Sequence, residues 1–410
     1  MNNVIKGDFG KKMDNIKKPL ECSMCGIVQP KDKSLPFISS GNTHICGNCI
    51  EESQLLLKDF YKENTIIDSK KTPSKIVEFV NQYVVGQESA KKTLALAIYN
   101  HFKRINNKVV DDVELQKSNV MLIGPSGSGK THLVQTIARF LDIPFTIADA
   151  TTLTESGYVG NDVESIFQNL LHAANGDVEK AQHGIVVIDE IDKIAKKNLG
   201  SNLTKDPGGE GVQQGLLKIL EGTKCDIPVN GKRKTPGEQN TSFDTTHVLF
   251  IFAGAFVGLS DIIQSNSEKN IGIGFGATVE KNLVTREVEP EDLYKFGFIP
   301  ELVGRIPVIC SLEELNVEDL IKILTEPKNS VIKQYQTLVK MDNVELEFSD
   351  SSLERIAEIA YERKTGARGL RSIVENILKD HMFSLPDQEN VTTMDVSYSK
   401  KTKKFTVSVK

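Results

Sequence analysis

The sequence of 410 residues has no long hydrophobic run and no excess of positive charge, and we expect no secretory leader. Its longest apolar run, Val248 to Leu259, covers about twelve residues, whereas a membrane-spanning helix needs about 20. The N-terminal segment is polar and lysine-rich with no apolar core, so we expect a cytoplasmic protein without a membrane partner. The formal net charge of −5 provides no basic footprint for nucleic acid, and we expect no nucleic-acid partner.

Cysteine is scarce as well, but four of the six cysteines are grouped. They form two Cys-x2-Cys pairs, Cys22 with Cys25 and Cys46 with Cys49, separated by 20 residues. In a reducing compartment this spacing predicts a structural zinc site rather than disulfides, since four thiolates leave no open position for water. A segment this small cannot sustain a core alone, and zinc adds about 10–16 kcal/mol of binding free energy to such modules. The alternative is two unrelated turns.

The pattern along the chain predicts an α/β protein with a small helical domain after it. Apolar strand-like runs alternate with helical patterns between residues 120 and 307, which is typical of a parallel sheet covered on both faces. After Val317 the periodicity becomes helical, and a short alternating strand closes the chain. We predict five regions: a disordered tail at 1–18, a zinc module at 19–60, a polar linker at 61–71, a large α/β domain at 72–312 and a C-terminal lid at 313–410.

A phosphate-binding loop follows the first apolar strand, Val120 to Ile123. The glycines of this Gly-x4-Gly-Lys-Thr motif let backbone N–H groups turn toward phosphate, and the following helix N-terminus adds partial positive charge. Lys130 is expected to reach the β and γ oxygens, and the Thr131 hydroxyl to bind Mg²⁺. The predicted nucleotide-binding residues of this segment are Gly124, Pro125, Ser126, Gly127, Ser128, Gly129, Lys130, Thr131 and, through its backbone amide, His132.

A second apolar strand, Ile185 to Ile188, ends in two carboxylates. Together with a phosphate loop, this arrangement predicts that Asp189 holds Mg²⁺ through water and that Glu190 polarises the attacking water. Helix capping is the alternative for an acidic pair at a strand end. The two motifs predict an enzyme that binds and hydrolyses a nucleoside triphosphate.

Both motifs, with Gly304-Arg305 and Gly366-Ala367-Arg368, resemble the AAA+ ATPases of the Clp/Hsp100 class over nearly the whole chain. The resemblance implies that ATP is the nucleotide and that Val84 and Val85 pack on its adenine. It also implies that Arg305 is an arginine finger for a neighbouring subunit of a homohexamer and that Arg368 senses the γ-phosphate. Taken singly, each arginine could instead form a surface salt bridge.

Three further segments match loops of that class. Tyr158 and Val159, between two glycines, match a pore loop that grips a polypeptide, and Gly231 to Thr235 with Arg233 and Lys234 matches a basic loop at the pore entrance. Thr235 stands where a histidine is usual. The segment Ile273-Gly274-Phe275 matches the loop with which members of that class dock on a ClpP-type peptidase. Its apolar side chains fit such a role, since exposed apolar side chains require a partner that covers them. The alternatives are a packed tyrosine turn, a solvated charge run and a loop collapsed on its own surface.

The resemblance therefore predicts an ATP-dependent protein unfoldase and translocase that takes tagged or adaptor-delivered substrates and feeds a ClpP-type peptidase. The chain has no Gly-x-Ser-x-Gly elbow and no His-Glu-x-x-His motif, so no peptidase site of its own is expected. Two alternatives stay open: a nucleotide-driven remodelling chaperone that acts without a peptidase, and a nucleic-acid motor of the AAA+ class.

Overall fold

The computed structural model describes residues 20–30, 32, 34–62, 71–106, 113, 115–154, 161–162, 165–195, 209–228, 240–270, 287–388 and 391–410. The chain forms two compact units, Met1–Asp68 and Ser69–Lys410. Among the described residues, no helix is both long and apolar enough to cross a membrane.

The smaller unit is a hairpin followed by a helix. Strand β1 (Phe37–Ser40) pairs antiparallel with β2 (Thr43–Cys46), and helix α1 (Gly47–Lys62) begins directly after β2. Its small core consists largely of the cysteines themselves, with Phe37. A core with so few apolar side chains contributes little to the free energy of folding. A unit of this size therefore needs further stabilisation, such as a bound metal ion.

The larger unit contains the remaining elements. Its helices are α2 (Pro73–Val80), α3 (Glu88–Asn106), α4 (Lys130–Leu141), α5 (Ser165–Ala173), α6 (Val178–Gln182), α7 (Glu210–Glu221), α8 (Leu259–Asn270), α9 (Pro290–Phe296), α10 (Pro300–Gly304), α11 (Val317–Thr325), α12 (Val331–Lys340), α13 (Asp350–Glu362) and α14 (Gly366–Ser384). Its strands are β3 (Val120–Ile123), β4 (Phe145–Asp149), β5 (Leu153–Thr154), β6 (Asn161–Asp162), β7 (Ile185–Asp189), β8 (Lys224–Pro228), β9 (Asn240–Asp244), β10 (Leu249–Gly254), β11 (Val308–Ser311), β12 (Glu345–Phe348), β13 (Thr393–Ser399) and β14 (Lys404–Val409).

Five parallel strands form the central sheet, in the order β11-β3-β10-β7-β4. Every residue of β3 and β10 is buried, as their continuous apolar sequences require in a sheet covered on both faces. Because all five strands run the same way, the residues that follow β3, β7 and β10 lie at one edge of the sheet. The predicted α/β core with a parallel sheet is therefore confirmed.

The C-terminal part packs α11 to α14 around a second apolar core. It also contains a three-stranded sheet, β12-β13-β14, in which only β14 corresponds to a strand predicted from the sequence. This part is the predicted helical lid with a small sheet on one side. The boundary placed between residues 312 and 313 stays a prediction.

Candidate active site

The phosphate loop, Gly124 to Gly129, joins β3 to the N-terminus of α4 at the carboxyl edge of the sheet. The Nζ atom of Lys130 donates to the carbonyl oxygens of Gly124 at 2.7 Å and Pro125 at 3.0 Å. The hydroxyl of Ser128 is buried and has no hydrogen-bond partner within the described part of the chain. A buried unpartnered hydroxyl beside a lysine and a free helix N-terminus fits a phosphate group.

Several charged groups around the phosphate loop act electrostatically on Lys130. Burial lowers its pKa, the carboxylates of Asp189 and Asp192 oppose that shift, and the guanidinium of Arg368 lowers the pKa further. Two carboxylates and two cations therefore interact in one pocket. An anionic nucleotide would favour the charged form of Lys130, because an opposite charge offsets desolvation.

The first carboxylate after β7 meets the phosphate loop directly. The hydroxyl of Thr131 donates to Oδ2 of Asp189 at 3.0 Å. The bond places the hydroxyl predicted to bind Mg²⁺ directly beside the carboxylate predicted to hold the ion through water, so the two oxygens fit those roles.

Glu190 directly follows the strand and lies in the left-handed backbone region, with φ of 55°. Its N–H donates to Oδ1 of Asp189 at 2.9 Å, and its side chain is exposed. Left-handed backbone is uncommon for a residue with a side chain and is concentrated at functional sites. The conformation holds a carboxylate beside the pocket where water has access to it.

The lid contacts the phosphate loop through the start of α14. The N–H of Ala367 donates to the carbonyl oxygen of Gly127 at 3.2 Å. Arg368 is the next residue, is exposed, and acts electrostatically on Lys130. The structure thus brings the predicted sensor arginine to the pocket of its own chain.

Arg305 lies elsewhere, directly after α10. Its guanidinium pairs with Oε1 of Glu221 at 2.7 Å, and the two side chains are 55% and 52% exposed. The carbonyl oxygen of Arg305 accepts from Nδ2 of Asn119 at 2.8 Å. Backbone and side chain are therefore both held while the charged group stays at the surface.

The segment predicted to pack on adenine, Val84 and Val85, is followed by a residue that bonds the backbone near the predicted domain boundary. Val84 is buried and Val85 is half-buried. Two residues further on, the amide of Gln87 donates to the carbonyl of Glu313 at 2.9 Å and accepts from its N–H at 2.9 Å. The segment that contains the predicted adenine-binding residues is therefore fixed to the backbone of Glu313.

The four grouped cysteines come together in the smaller unit. Their sulfur atoms lie within 4.8 Å of one another, with 3.8 Å between Cys22 and Cys49 and 3.6 Å between Cys25 and Cys46. None of the four forms a disulfide. A tetrahedral zinc site with Zn–S bonds of about 2.3 Å has sulfur pairs about 3.8 Å apart, so the set fits zinc. Hydrogen bonds from the backbone of Cys25 and Cys46 lower the pKa of Cys22 to about 6, whereas interactions with the neighbouring cysteines and burial raise the pKa of Cys49.

The two other cysteines are both buried. Burial raises the pKa of Cys310 to about 11, which makes it an unreactive thiol.

Seven predicted functional residues lie outside the described residues: Tyr158, Val159, Arg233, Lys234, Ile273, Gly274 and Phe275.

Sequence reasoning gave no role to two buried polar residues, Asp192 and Gln213. Asp192 accepts from the N–H of Ala255, just after β10, at 3.1 Å. Gln213 is fully buried in α7. Each is a polar residue with apolar neighbours along a buried element, and that pattern was the available signal.

A phosphate loop and an acidic strand end on a parallel sheet, with a lid that touches the loop, define a P-loop ATPase of the AAA+ class. The family described as AAA domain (Cdc48 subfamily) matches residues 115–309. A second family, described as the C-terminal D2-small domain of ClpB protein, matches residues 315–396.

The chain is 48% identical over 377 residues to the ATP-dependent Clp protease ATP-binding subunit ClpX of Treponema denticola, covering 90% of each chain. It therefore belongs to the ClpX family and is an ATPase. These matches confirm the class inferred from the sequence motifs.

Proposed function

We propose that this chain is an ATP-driven protein unfoldase and translocase that works as a homohexamer in the cytoplasm and feeds a ClpP-type peptidase. The observation that carries the proposal is the different placement of two arginines. Arg368 acts on its own chain's nucleotide pocket, whereas Arg305 is held at the surface against Glu221. A surface arginine fixed in this way is suited to complete the site of a neighbouring subunit.

The pocket residues support a division of labour in ATP hydrolysis. Lys130 and the loop amides hold the phosphates, and Glu190 polarises the attacking water and accepts its proton. Thr131 and Asp189 would hold Mg²⁺, which neutralises charge on the phosphate oxygens. Arg305 from the neighbour and Arg368 from the lid stabilise the charge that develops on the transferred phosphoryl group.

The energy of hydrolysis is used to pull on polypeptides. Tyr158 and Val159 grip the chain in the pore, and Arg233 and Lys234 attract it at the entrance. Folded domains are stable by only about 5–15 kcal/mol, so repeated pulls can unravel them. Ile273, Gly274 and Phe275 dock the ring on the peptidase. The relative's name, which describes a subunit of a protease, supports a peptidase partner for this chain.

The cysteine module receives substrates or adaptor proteins. Zinc bound by Cys22, Cys25, Cys46 and Cys49 would hold it folded. Its surface exposes several apolar side chains that a partner would cover, namely Met24, Ile27, Val28, Ile38 and Leu56.

The decisive experiment measures three activities of the purified chain with one tagged, folded fluorescent protein. Loss of fluorescence should require ATP hydrolysis, and cleavage should require an added ClpP-type peptidase. Unfolding without cleavage when the peptidase is present would indicate the remodelling chaperone instead. ATP hydrolysis stimulated by DNA but not by unfolded protein would indicate the nucleic-acid motor and contradict the proposal.

A further inference from the structure

The side chain of Gln213 joins two segments that are far apart in sequence. It is completely buried in α7. Its Nε2 donates to the carbonyl oxygen of Ile194 at 2.9 Å and lies 3.4 Å from that of Gly297. Its Oε1 accepts from the N–H of Ile299 at 2.9 Å. One amide therefore satisfies backbone groups on both segments.

Both segments carry residues of the proposed hydrolytic machinery. Ile194 ends the short 3₁₀ turn Ile191–Ile194, whose N-cap is Glu190. Ile299 is the N-cap of α10, and Arg305 is the residue that follows this helix. Gln213 thus connects the turn after the water-polarising carboxylate to the helix before the arginine finger.

Helix α7 also contacts Arg305 itself, through a second side chain. Glu221, the last residue of α7, pairs with the guanidinium of Arg305. Near its first turn, α7 is attached through Gln213 to Ile299 at the start of α10. At its last residue, Glu221, it is attached to Arg305, which directly follows α10. Helix α10 has only five residues and packs Leu302 and Val303 into the core, and these two polar attachments hold it at both ends.

We propose that Gln213 is a positioning residue that fixes the Glu190 turn and the Arg305 helix as one unit, so that the carboxylate of one nucleotide site and the finger offered to the next site move together. This inference rests on the proposed function, because it requires Arg305 to act on a neighbouring subunit. Gln213 does not touch the nucleotide itself.

An amide is the group that this position requires. It donates toward Ile194 and accepts from Ile299 at the same time, and no apolar side chain of equal size does either. Gln213→Met keeps the shape and loses both bonds. Gln213→Glu keeps the acceptor for Ile299, and in its ionised form it donates to neither Ile194 nor Gly297. The two variants therefore separate the two connections.

The first test compares Gln213→Met with Gln214→Met, a matched control at the exposed neighbouring position of the same helix. Leaving buried backbone groups unsatisfied should lower kcat about tenfold or more, with the dissociation constant for ATP within about twofold of wild type. Melting temperature and ring assembly are measured for both variants. Equal kcat for the two variants would overturn the proposal.

The second test mixes subunits, so that a site can combine a carboxylate from one variant with a finger from another. Gln213→Met should restore hydrolysis neither to Arg305→Ala subunits nor to Glu190→Gln subunits. Gln213→Glu, whose Arg305 helix keeps its bond, should restore Arg305→Ala subunits but not Glu190→Gln subunits. Restoration by Gln213→Met of either partner would overturn the proposal, as would restoration by Gln213→Glu of both partners equally.

The reference mixture is Arg305→Ala with Glu190→Gln, which should recover hydrolysis by itself. If it does not, completion in trans fails and the coupling proposed for Gln213 fails with it; if it does, the mixtures that contain Gln213 variants test the coupling itself. If Gln213→Met does not fold, as its melting temperature would reveal, Gln213→Glu supplies both tests.

Discussion

The N–H of Ala367 donates a hydrogen bond of 3.2 Å to the carbonyl oxygen of Gly127, which joins the lid to the phosphate loop. The approach is close because Gly127 has no side chain. A Cβ there would lie 2.5 Å from the carbonyl oxygen of Thr365 and 3.0 Å from Cα of Gly366. The position of the lid and the shape of the phosphate loop are therefore coupled by a direct backbone contact.

Gly127→Ala should separate the lid from the loop and lower both nucleotide affinity and hydrolysis by about tenfold or more, because the added methyl group meets rigid backbone. Gly176→Ala is the matched control: both glycines have φ near +80°, but nothing lies within 4 Å of a Cβ at Gly176. Binding of a fluorescent ATP analogue and steady-state hydrolysis measure the effect. Equal losses in the two variants would mean that backbone strain, and not the lid contact, is responsible.

Glu190→Gln should preserve ATP binding and nearly abolish hydrolysis, because only the polarisation of water is removed. Lys130→Ala should instead weaken ATP binding, since it removes the cation at the phosphates. Equilibrium binding and phosphate release distinguish the two effects. Wild-type turnover of Glu190→Gln would contradict the role proposed for this carboxylate.

Arg305→Ala should leave ATP binding by the isolated chain intact and reduce hydrolysis by the assembled protein, by roughly 10³–10⁵-fold if the effect is like that of GTPase arginine fingers. Arg305→Lys should not restore the rate, because a lysine lacks the planar fork of donors. Hydrolysis is measured over a range of protein concentrations. A rate per chain that is independent of concentration down to the monomer would argue against completion by a neighbour.

The sequence predicted the elements that surround the nucleotide more accurately than those of the lid. The strand predicted at Val120 to Ile123 has the bounds of β3, and the one predicted at Ile185 to Ile188 ends one residue before β7 does. Continuous apolar runs and a glycine-rich loop leave few alternatives there. In contrast, β12 alternates glutamate with apolar residues over only four positions, and this pattern is too short to be distinguished from a loop.

Site residues that belong to a short sequence motif could be predicted. Residues whose contacts are distant in sequence were missed. Thr131 and Asp189 each belong to a recognisable motif. Gln213 contacts residues 19 and 86 positions away, so its neighbours are known only from the fold. Its one local signal is a polar residue on the buried face of α7, beside Val212 and three residues before Leu216.

The cysteine module should bind one zinc ion per chain and lose its fold when the metal is removed, because its core consists largely of the ligands. Cys46→Ser, at a fully buried ligand, should have the same effect. Zinc is measured by a colorimetric chelator and folding by proteolysis of the first 60 residues. Hydrolysis of ATP should persist in Cys46→Ser, since the predicted nucleotide residues all belong to the larger unit; its loss would contradict the predicted independence of the module.

We expect Phe275→Ala to uncouple the motor from the proposed peptidase partner without stopping the motor. Phe275 has no ionisable group and lies far in sequence from both nucleotide motifs. Burial of one phenylalanine in a partner cleft contributes about 1.5–3 kcal/mol, and repetition around a ring multiplies the effect through avidity. Degradation with the peptidase present should therefore fall severely, while ATP hydrolysis and unfolding of a tagged protein stay near wild type. Phe383→Ala, at an exposed phenylalanine in α14, is the control for general loss of apolar surface. Loss of ATP hydrolysis in Phe275→Ala would mean that this side chain stabilises the motor itself, and the docking role would be wrong.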